Sequence, residues 1–215
     1  MNGLILKLIA LSTMIIDHYG AIFQSNINIY RIIGRLAFPI YCFLLVEGFI
    51  HTSNIKKYAQ RLLIFAFISE LPFDLAFYGR IGFEHQNIFF TLFIGLVTMY
   101  FLENKNERYN LSRKTVIVLS CMLATLLRTD YQLIGIIYIL AFYFAKDFPK
   151  KKRFTILALI MILINLSIGW IQEFSVLALV PIYFYNNEQG VSNKFLQISF
   201  YLAYPAHLLI FYLIQ

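Results

Sequence analysis

Apolar residues run along this chain in long stretches separated by short polar breaks, the pattern of helices that face hydrocarbon rather than water. Set against the roughly 20 residues that cross a ~30 Å hydrocarbon core, the runs predict about nine helices, at 4–24, 28–51, 58–79, 87–102, 114–128, 131–146, 153–169, 172–185 and 195–214. Four fall short of ~17 residues, so tilted or re-entrant segments are expected and the count ranges over roughly eight to ten. Connections are short and no repeat, low-complexity tract or linker divides the chain, which reads as one all-α domain over 1–215. The first run lacks a basic leader and a small-residue cleavage site, so it reads as a span rather than a signal peptide.

Composition turns this pattern into a class. Of the 215 residues, 60% are hydrophobic, 18% aromatic and 13% charged, and the mean hydropathy is +0.71. Such a balance excludes a water-soluble globule and leaves a polytopic integral membrane protein. Basic residues then orient it. Lys56, Lys57 and Arg61 fall at the second connection, Lys105, Arg108, Arg113 and Lys114 at the fourth, Lys146, Lys150, Lys151, Lys152 and Arg153 at the sixth, and Lys194 at the eighth. Cytoplasmic loops hold the Lys/Arg excess, so the N-terminus is expected in the cytoplasm, with Lys7 on the same side. The net charge of +7 is explained by this bias and by attraction to anionic lipid, without a nucleic-acid partner. Cys42 and Cys121 both lie in apolar runs and form neither a disulfide framework nor a CxxC motif, which makes them packing residues.

Against this background the ionisable residues inside the runs carry the chemistry. Asp17, His18, Arg31, Arg35, Glu47, Glu70, Asp74 and His207 each cost roughly 2.5–3.5 kcal/mol at the centre of a span on insertion scales. In the predicted orientation His18, Arg31, Arg35, Glu70, Asp74, Asn87, Arg128, Asp130 and His207 share one depth, which predicts a single polar pocket opening outward. Arg31 and Arg35 share a helix face, as do Glu70 and Asp74, so two arginines facing two acids would cancel charge, either in a ligand site or as a structural ion-pair cluster. Asp17 and His18 are neighbours that point ~100° apart, so each needs its own partner. His18, of a residue type with ring pKa near 6.5, suits proton transfer at neutral pH. Glu47 and His51, four apart, read as a helix-end pair. Pro39, Pro72, Pro181 and Pro205 interrupt spans and free backbone carbonyls, as around a wet cavity or at structural kinks. No HExxH or Cys/His cluster supports a metal, and no GxSxG, P-loop or GxGxxG supports a serine hydrolase, a nucleotide hydrolase or a dinucleotide enzyme.

Several ordered motifs match a known family. Met14-Ile15-Ile16-Asp17-His18-Tyr19-Gly20, the run from Arg31 to Gly48, Ile68-Ser69-Glu70-Leu71-Pro72-Phe73-Asp74, Asn87-Ile88-Phe89-Phe90-Thr91, Asp130-Tyr131 with Gly135, and Tyr204-Pro205-Ala206-His207-Leu208 together resemble the TraX family over nearly the whole chain. That family takes its name from a conjugation protein that N-acetylates pilin, and it is similar to transmembrane acyltransferases that use cytosolic acyl-CoA. The resemblance implies a multi-pass protein of the bacterial cytoplasmic membrane that takes acetyl-CoA as donor and a peptide or glycan as acceptor, with no metal. In the related acyltransferase-3 group a first-helix Arg precedes the catalytic His by eleven positions. Here Lys7 stands eleven before His18, ~16 Å along a helix, but offers a point charge rather than a planar fork.

The implied roles follow. His18 acts as general base, with Asp17 orienting neighbouring groups. Arg35 or Arg31 and Asn87 supply oxyanion or acceptor contacts, and Glu70 and Asp74 bind a cationic amine. Asp130, Tyr131 and His207 complete the acceptor site. Lys7, Lys57 and Arg61 hold the phosphates of CoA. Two other classes remain open, a proton-coupled transporter and a non-catalytic membrane component of a conjugation or secretion assembly.

Overall fold

The computed structural model describes residues 1–103, 111–191 and 193–215; the basic positions Lys105 and Arg108 lie outside the described residues. Every predicted apolar run is helical: α1 Gly3–Phe23, α2 Asn28–Gly34, α3 Ala37–His51, α4 Ile55–Tyr78, α5 Ile88–Glu103, α6 Arg113–Leu126, α7 Gln132–Ala145, α8 Lys150–Asn165, α9 Trp170–Glu173, α10 Leu179–Tyr183 and α11 Lys194–Ile214. Among the described residues there is no strand beyond an isolated bridge between Gln86 and Thr129. Side-chain caps set several starts. Asn2, Asn54, Ser112 and Asn193 each accept a hydrogen bond from the third residue beyond, removing one of the orphan donors of a helix N-terminus.

Two predicted helices are broken. The run 28–51 divides into α2 and α3 at Arg35 and Leu36. Pro39 lacks the N–H that would bond the Arg35 carbonyl, so the ladder has a gap where the second helix restarts. The run 172–185 becomes α9, a 3-10 turn over Phe174–Ala178, and α10. Pro72 and Pro205, by contrast, sit inside continuous helices.

Length and composition mark three of these segments as able to cross a membrane: Gly3–Phe23, Asn28–His51 and Lys194–Ile214, with mean hydropathies of 1.4, 1.7 and 1.4. The helix α4 is as long, at 24 residues, but carries Lys56, Lys57, Arg61, Glu70 and Asp74. Central helices and outer helices differ in what they show. Phe38, Ile40, Leu45 and Val46 of α3 and Ile136, Tyr138 and Ile139 of α7 are buried, whereas Phe67 of α4, Leu126 of α6, Leu163 of α8 and Leu213 of α11 are exposed. Apolar surface of that extent on every outer helix has no partner in water and suits hydrocarbon. The chain is therefore membrane-associated.

Contacts at the helix ends sort the connections into two groups. At one end the Gly3 N–H donates to the Glu188 carbonyl at 2.7 Å, Met1 to Phe184, and Lys146 lies 3.9 Å from Glu103. At the other, Asp130 donates to the Gln86 carbonyl at 2.8 Å and Gln86 to that of Arg128 at 3.0 Å.

A buried charge clamp, a histidine pair and a basic cavity

The helices α1 and α2 pass so close at Gly34 that a Cβ there would overlap the Asp17 carboxylate. That absent side chain lets Asp17 meet two guanidiniums. Arg31 Nη1 donates to Asp17 Oδ2 at 2.9 Å and Arg35 Nη2 to Oδ1 at 2.6 Å. Arg31 also donates to the Asp17 carbonyl at 3.1 Å. Arg35 also donates to the Arg31 carbonyl at 3.2 Å, the Tyr131 hydroxyl at 3.3 Å and Gln172 Oε1 at 3.1 Å, so four of its five N–H groups are engaged. Tyr131 is held by a left-handed backbone, φ 61°, and by stacking on Phe38 at 3.9 Å between ring centroids. The predicted pairing of the two arginines with Glu70 and Asp74 is thus corrected: their acid is Asp17. With those four bonds made, Arg35 is poorly placed as an oxyanion donor.

His18, turned away from Asp17 as the helix geometry requires, finds a different partner. Its Nδ1 lies 2.7 Å from His207 Nε2, and the rings stack with an interplanar angle of 15°. The tautomers follow from the next bond. His207 Nδ1 lies 2.8 Å from the Ala203 carbonyl, which can only accept, so this nitrogen carries the hydrogen and Nε2 of the neutral ring is an acceptor. His18 Nδ1–H must then donate to it. The lone pair of His18 Nε2 is left free of hydrogen bonds among the described residues.

Glu70, Asp74 and Asn87 form a third group. Asn87 donates to Glu70 from its backbone and side-chain nitrogens and to the Ala66 carbonyl at 2.7 Å, while its Oδ1 accepts from Phe89. With its amide spent in this way, Asn87 offers no free donor to a developing oxyanion. Asp74, 1% exposed, accepts from the Gly82 N–H at 2.9 Å. Each acid keeps one buried oxygen without a partner, Glu70 Oε1 and Asp74 Oδ1. Asp130 sits in the turn before α7, where its carbonyl accepts from the Thr91 hydroxyl. Burial pushes its carboxyl up to about 6, against the opposing pull of Arg35.

The predicted single outward pocket is also corrected. The polar residues of that end divide among the three groups above, and a cavity of about 650 Å³ opens from the other end, by the basic connections. Lys7, Lys57 and Arg61, which the sequence singles out together, all line it. None of the three has a carboxylate within 4 Å among the described residues, and Arg61 Nε is buried with no hydrogen-bond partner. Arg61 lies 5.5 Å from the Tyr58 ring centroid, and its guanidinium faces the Tyr201 hydroxyl as a donor. Glu47, also in the lining, lies 3.9 Å from His51 Nδ1. From these residues the lining extends along the helices to Met14, Tyr41, Ile88, Phe89 and Tyr204. His18 does not line it; Tyr204 does, and its ring meets His18 at 5.9 Å. Sequence reasoning passed over Tyr41, Tyr58, Tyr201 and Tyr204, although Tyr204 stands one helical turn from His207 in the Tyr204-Pro205-Ala206-His207 motif. Among the described residues no group of three or more His, Cys, Asp or Glu is placed to hold a metal.

Exposed apolar helices around buried ionisable clusters define a membrane-associated, all-helical protein with polar chemistry in its interior. The family described as TraX protein matches residues 2–215, and the chain belongs to it. A probable fimbrial assembly protein, FimC of serogroup H1, from Dichelobacter nodosus is 29% identical over 234 residues, covering 94% of this chain and 91% of that protein. The uncharacterized protein RP591 of Rickettsia prowazekii (strain Madrid E) is 30% identical over 100 residues, 46% of this chain and 37% of its own length. No solved structure matches.

Proposed function

We propose that this chain is a multi-pass acetyltransferase of the bacterial cytoplasmic membrane, which moves an acetyl group from cytosolic acetyl-CoA to an amine or hydroxyl of a peptide or glycan acceptor. One observation carries the reading: a cavity whose mouth bears three cations without acidic partners runs inward to the wall of a histidine pair with a free ring nitrogen. Positive charge left uncompensated in a half-buried site is costly unless an anion completes it. The phosphates of CoA are such an anion, and Lys7, Lys57 and Arg61 are the residues that would hold them. From Lys7 to His18 is eleven residues of α1, ~16 Å, a distance suited to a pantetheine arm.

His18 Nε2 takes the proton as the acceptor nitrogen or oxygen attacks the thioester carbon. The C–S bond breaks, and the proton passes on to the leaving thiolate, so the products are the acetylated acceptor and free CoA. His207 accepts from His18 Nδ1–H and stabilises the imidazolium that forms, holding the ring in the tautomer that exposes Nε2. The unpartnered oxygens of Glu70 and Asp74 suit a protonated amine on the acceptor. The name of the Dichelobacter relative, a fimbrial assembly protein, favours a pilin-like peptide as that acceptor. The same name favours the second reading, a non-catalytic component of an assembly, in which the buried ion pairs only join helices.

Purified protein in detergent, incubated with radiolabelled acetyl-CoA and membrane extract, separates the two. Label transfer is expected with the intact chain and its loss by at least ~100-fold in His18→Ala that still elutes as a folded species. Undiminished transfer by that variant would remove His18 as base, and failure of folded wild type to bind CoA would favour the assembly role.

A further inference from the structure

The acyl carbonyl needs a donor as it takes charge, and none of the candidates legible in the sequence lines the cavity: Arg31 and Arg35 pair with Asp17, and the Asn87 amide donates to Glu70 and Ala66. We infer that Tyr204 supplies this hydrogen bond, its phenol donating to the thioester carbonyl at the inner end of the cavity. The inference rests on the acetyltransferase reading and adds a residue to it.

Four observations converge on Tyr204. It lines the cavity yet is only 4% exposed, so a donor there acts in a site with little competing water. Its ring stands edge-on to both histidines, 5.9 Å from His18 and 5.7 Å from His207, which makes it the wall between cavity and base. Among the described residues no carbonyl or carboxylate takes the phenol's hydrogen, which leaves it for an acceptor in the cavity. On α11 the ring shares a face with His207, three positions on, so one rigid helix sets both the donor and the partner of the base. During attack the phenol keeps its proton and shortens its bond to the oxygen that becomes negative, while the acceptor's proton goes to His18 Nε2 and the sulfur leaves. When the carbonyl re-forms, the hydrogen bond relaxes.

Isotope-edited infrared difference spectra of acetyl-CoA labelled at the carbonyl carbon, bound to the purified full chain, read this contact without any acceptor. The bound carbonyl stretch is expected at lower frequency than in solution in wild type, and back at the solution value in Tyr204→Phe, with Kd raised by no more than about tenfold because the ring and its packing are kept. In turnover with membrane extract the same variant should lose roughly 10²–10³ in kcat, a far larger effect than on KM for acetyl-CoA. A carbonyl shift retained by Tyr204→Phe, or absent from a wild type that binds, overturns the role of Tyr204 and leaves the cavity assignment standing. Absence of acetyl-CoA binding in folded wild type overturns both.

Discussion

The two ends of this molecule treat charge in opposite ways. At the end holding α2, Asp17 satisfies both Arg31 and Arg35, and the guanidinium of Arg35 continues into Tyr131 and Gln172. At the other end Lys7, Lys57 and Arg61 converge on a cavity whose lining acid, Glu47, lies by His51, and none of the three has a carboxylate within 4 Å among the described residues. A charge whose partners are all inside the chain contributes to holding helices together, and its removal strands those partners. A charge with no acid beside it adds no ion pair to the fold and is available to an anion that enters from outside. The histidine pair stands between, with three ring nitrogens bound and one, His18 Nε2, free among the described residues.

The sharpest way to break this contrast is to remove Asp17. Asp17→Ala leaves two partly buried guanidiniums facing each other, and since truncating one member of a fully buried charged pair costs roughly 3–5 kcal/mol, a loss towards the lower end of that range is expected. The expected outcome is loss of most folded protein, measured as a lowered unfolding midpoint in detergent or as poor recovery from the membrane. Unchanged stability would show that water or lipid headgroups already serve these arginines. A gentler perturbation of the same clamp is Gly34→Ala, which adds a methyl where the carboxylate lies. Overpacking of this kind costs roughly 1–3 kcal/mol, so the unfolding midpoint should fall by less than for Asp17→Ala, and equal stability to wild type would mean that α1 and α2 can separate freely.

How much of this was legible beforehand depends on which physical quantity decided each feature. The apolar runs located every helix because hydrophobic length is a local property, and the ~100° between Asp17 and His18 required separate partners before either was known. The choice of partner was not legible. It turned on Gly34 admitting the carboxylate, and on backbone N–H groups of Asn87 and Gly82 occupying Glu70 and Asp74, and a close approach of helices leaves no mark in residue spacing. The break at Arg35 followed from Pro39, whereas Pro72 and Pro205 left their helices unbroken, so proline alone did not say where a helix would divide. The three cations of the cavity could be picked out because charge is rare here. The tyrosines around them could not, since a Tyr facing lipid headgroups, core or cavity has the same sequence signature.

The contrast is sharpened at its quiet end by Arg61→Ala. Because Arg61 has no carboxylate partner within the chain and its Nε is unpartnered, truncation strands no acid. The unfolding midpoint should stay where it is, or rise slightly as uncompensated charge in the cavity falls. The effect should appear instead in the donor substrate. Loss of one phosphate contact is expected to raise KM for acetyl-CoA about tenfold, equivalent to ~1.4 kcal/mol, with kcat unaffected because the contact is made equally in the bound substrate and the transition state. Titrating acetyl-CoA against both proteins and following their unfolding in parallel reads the two effects together. If stability falls while KM holds, Arg61 belongs with Arg31 and Arg35 as a structural charge, and the division between the two ends of the molecule fails at the residue where it is most exposed to test.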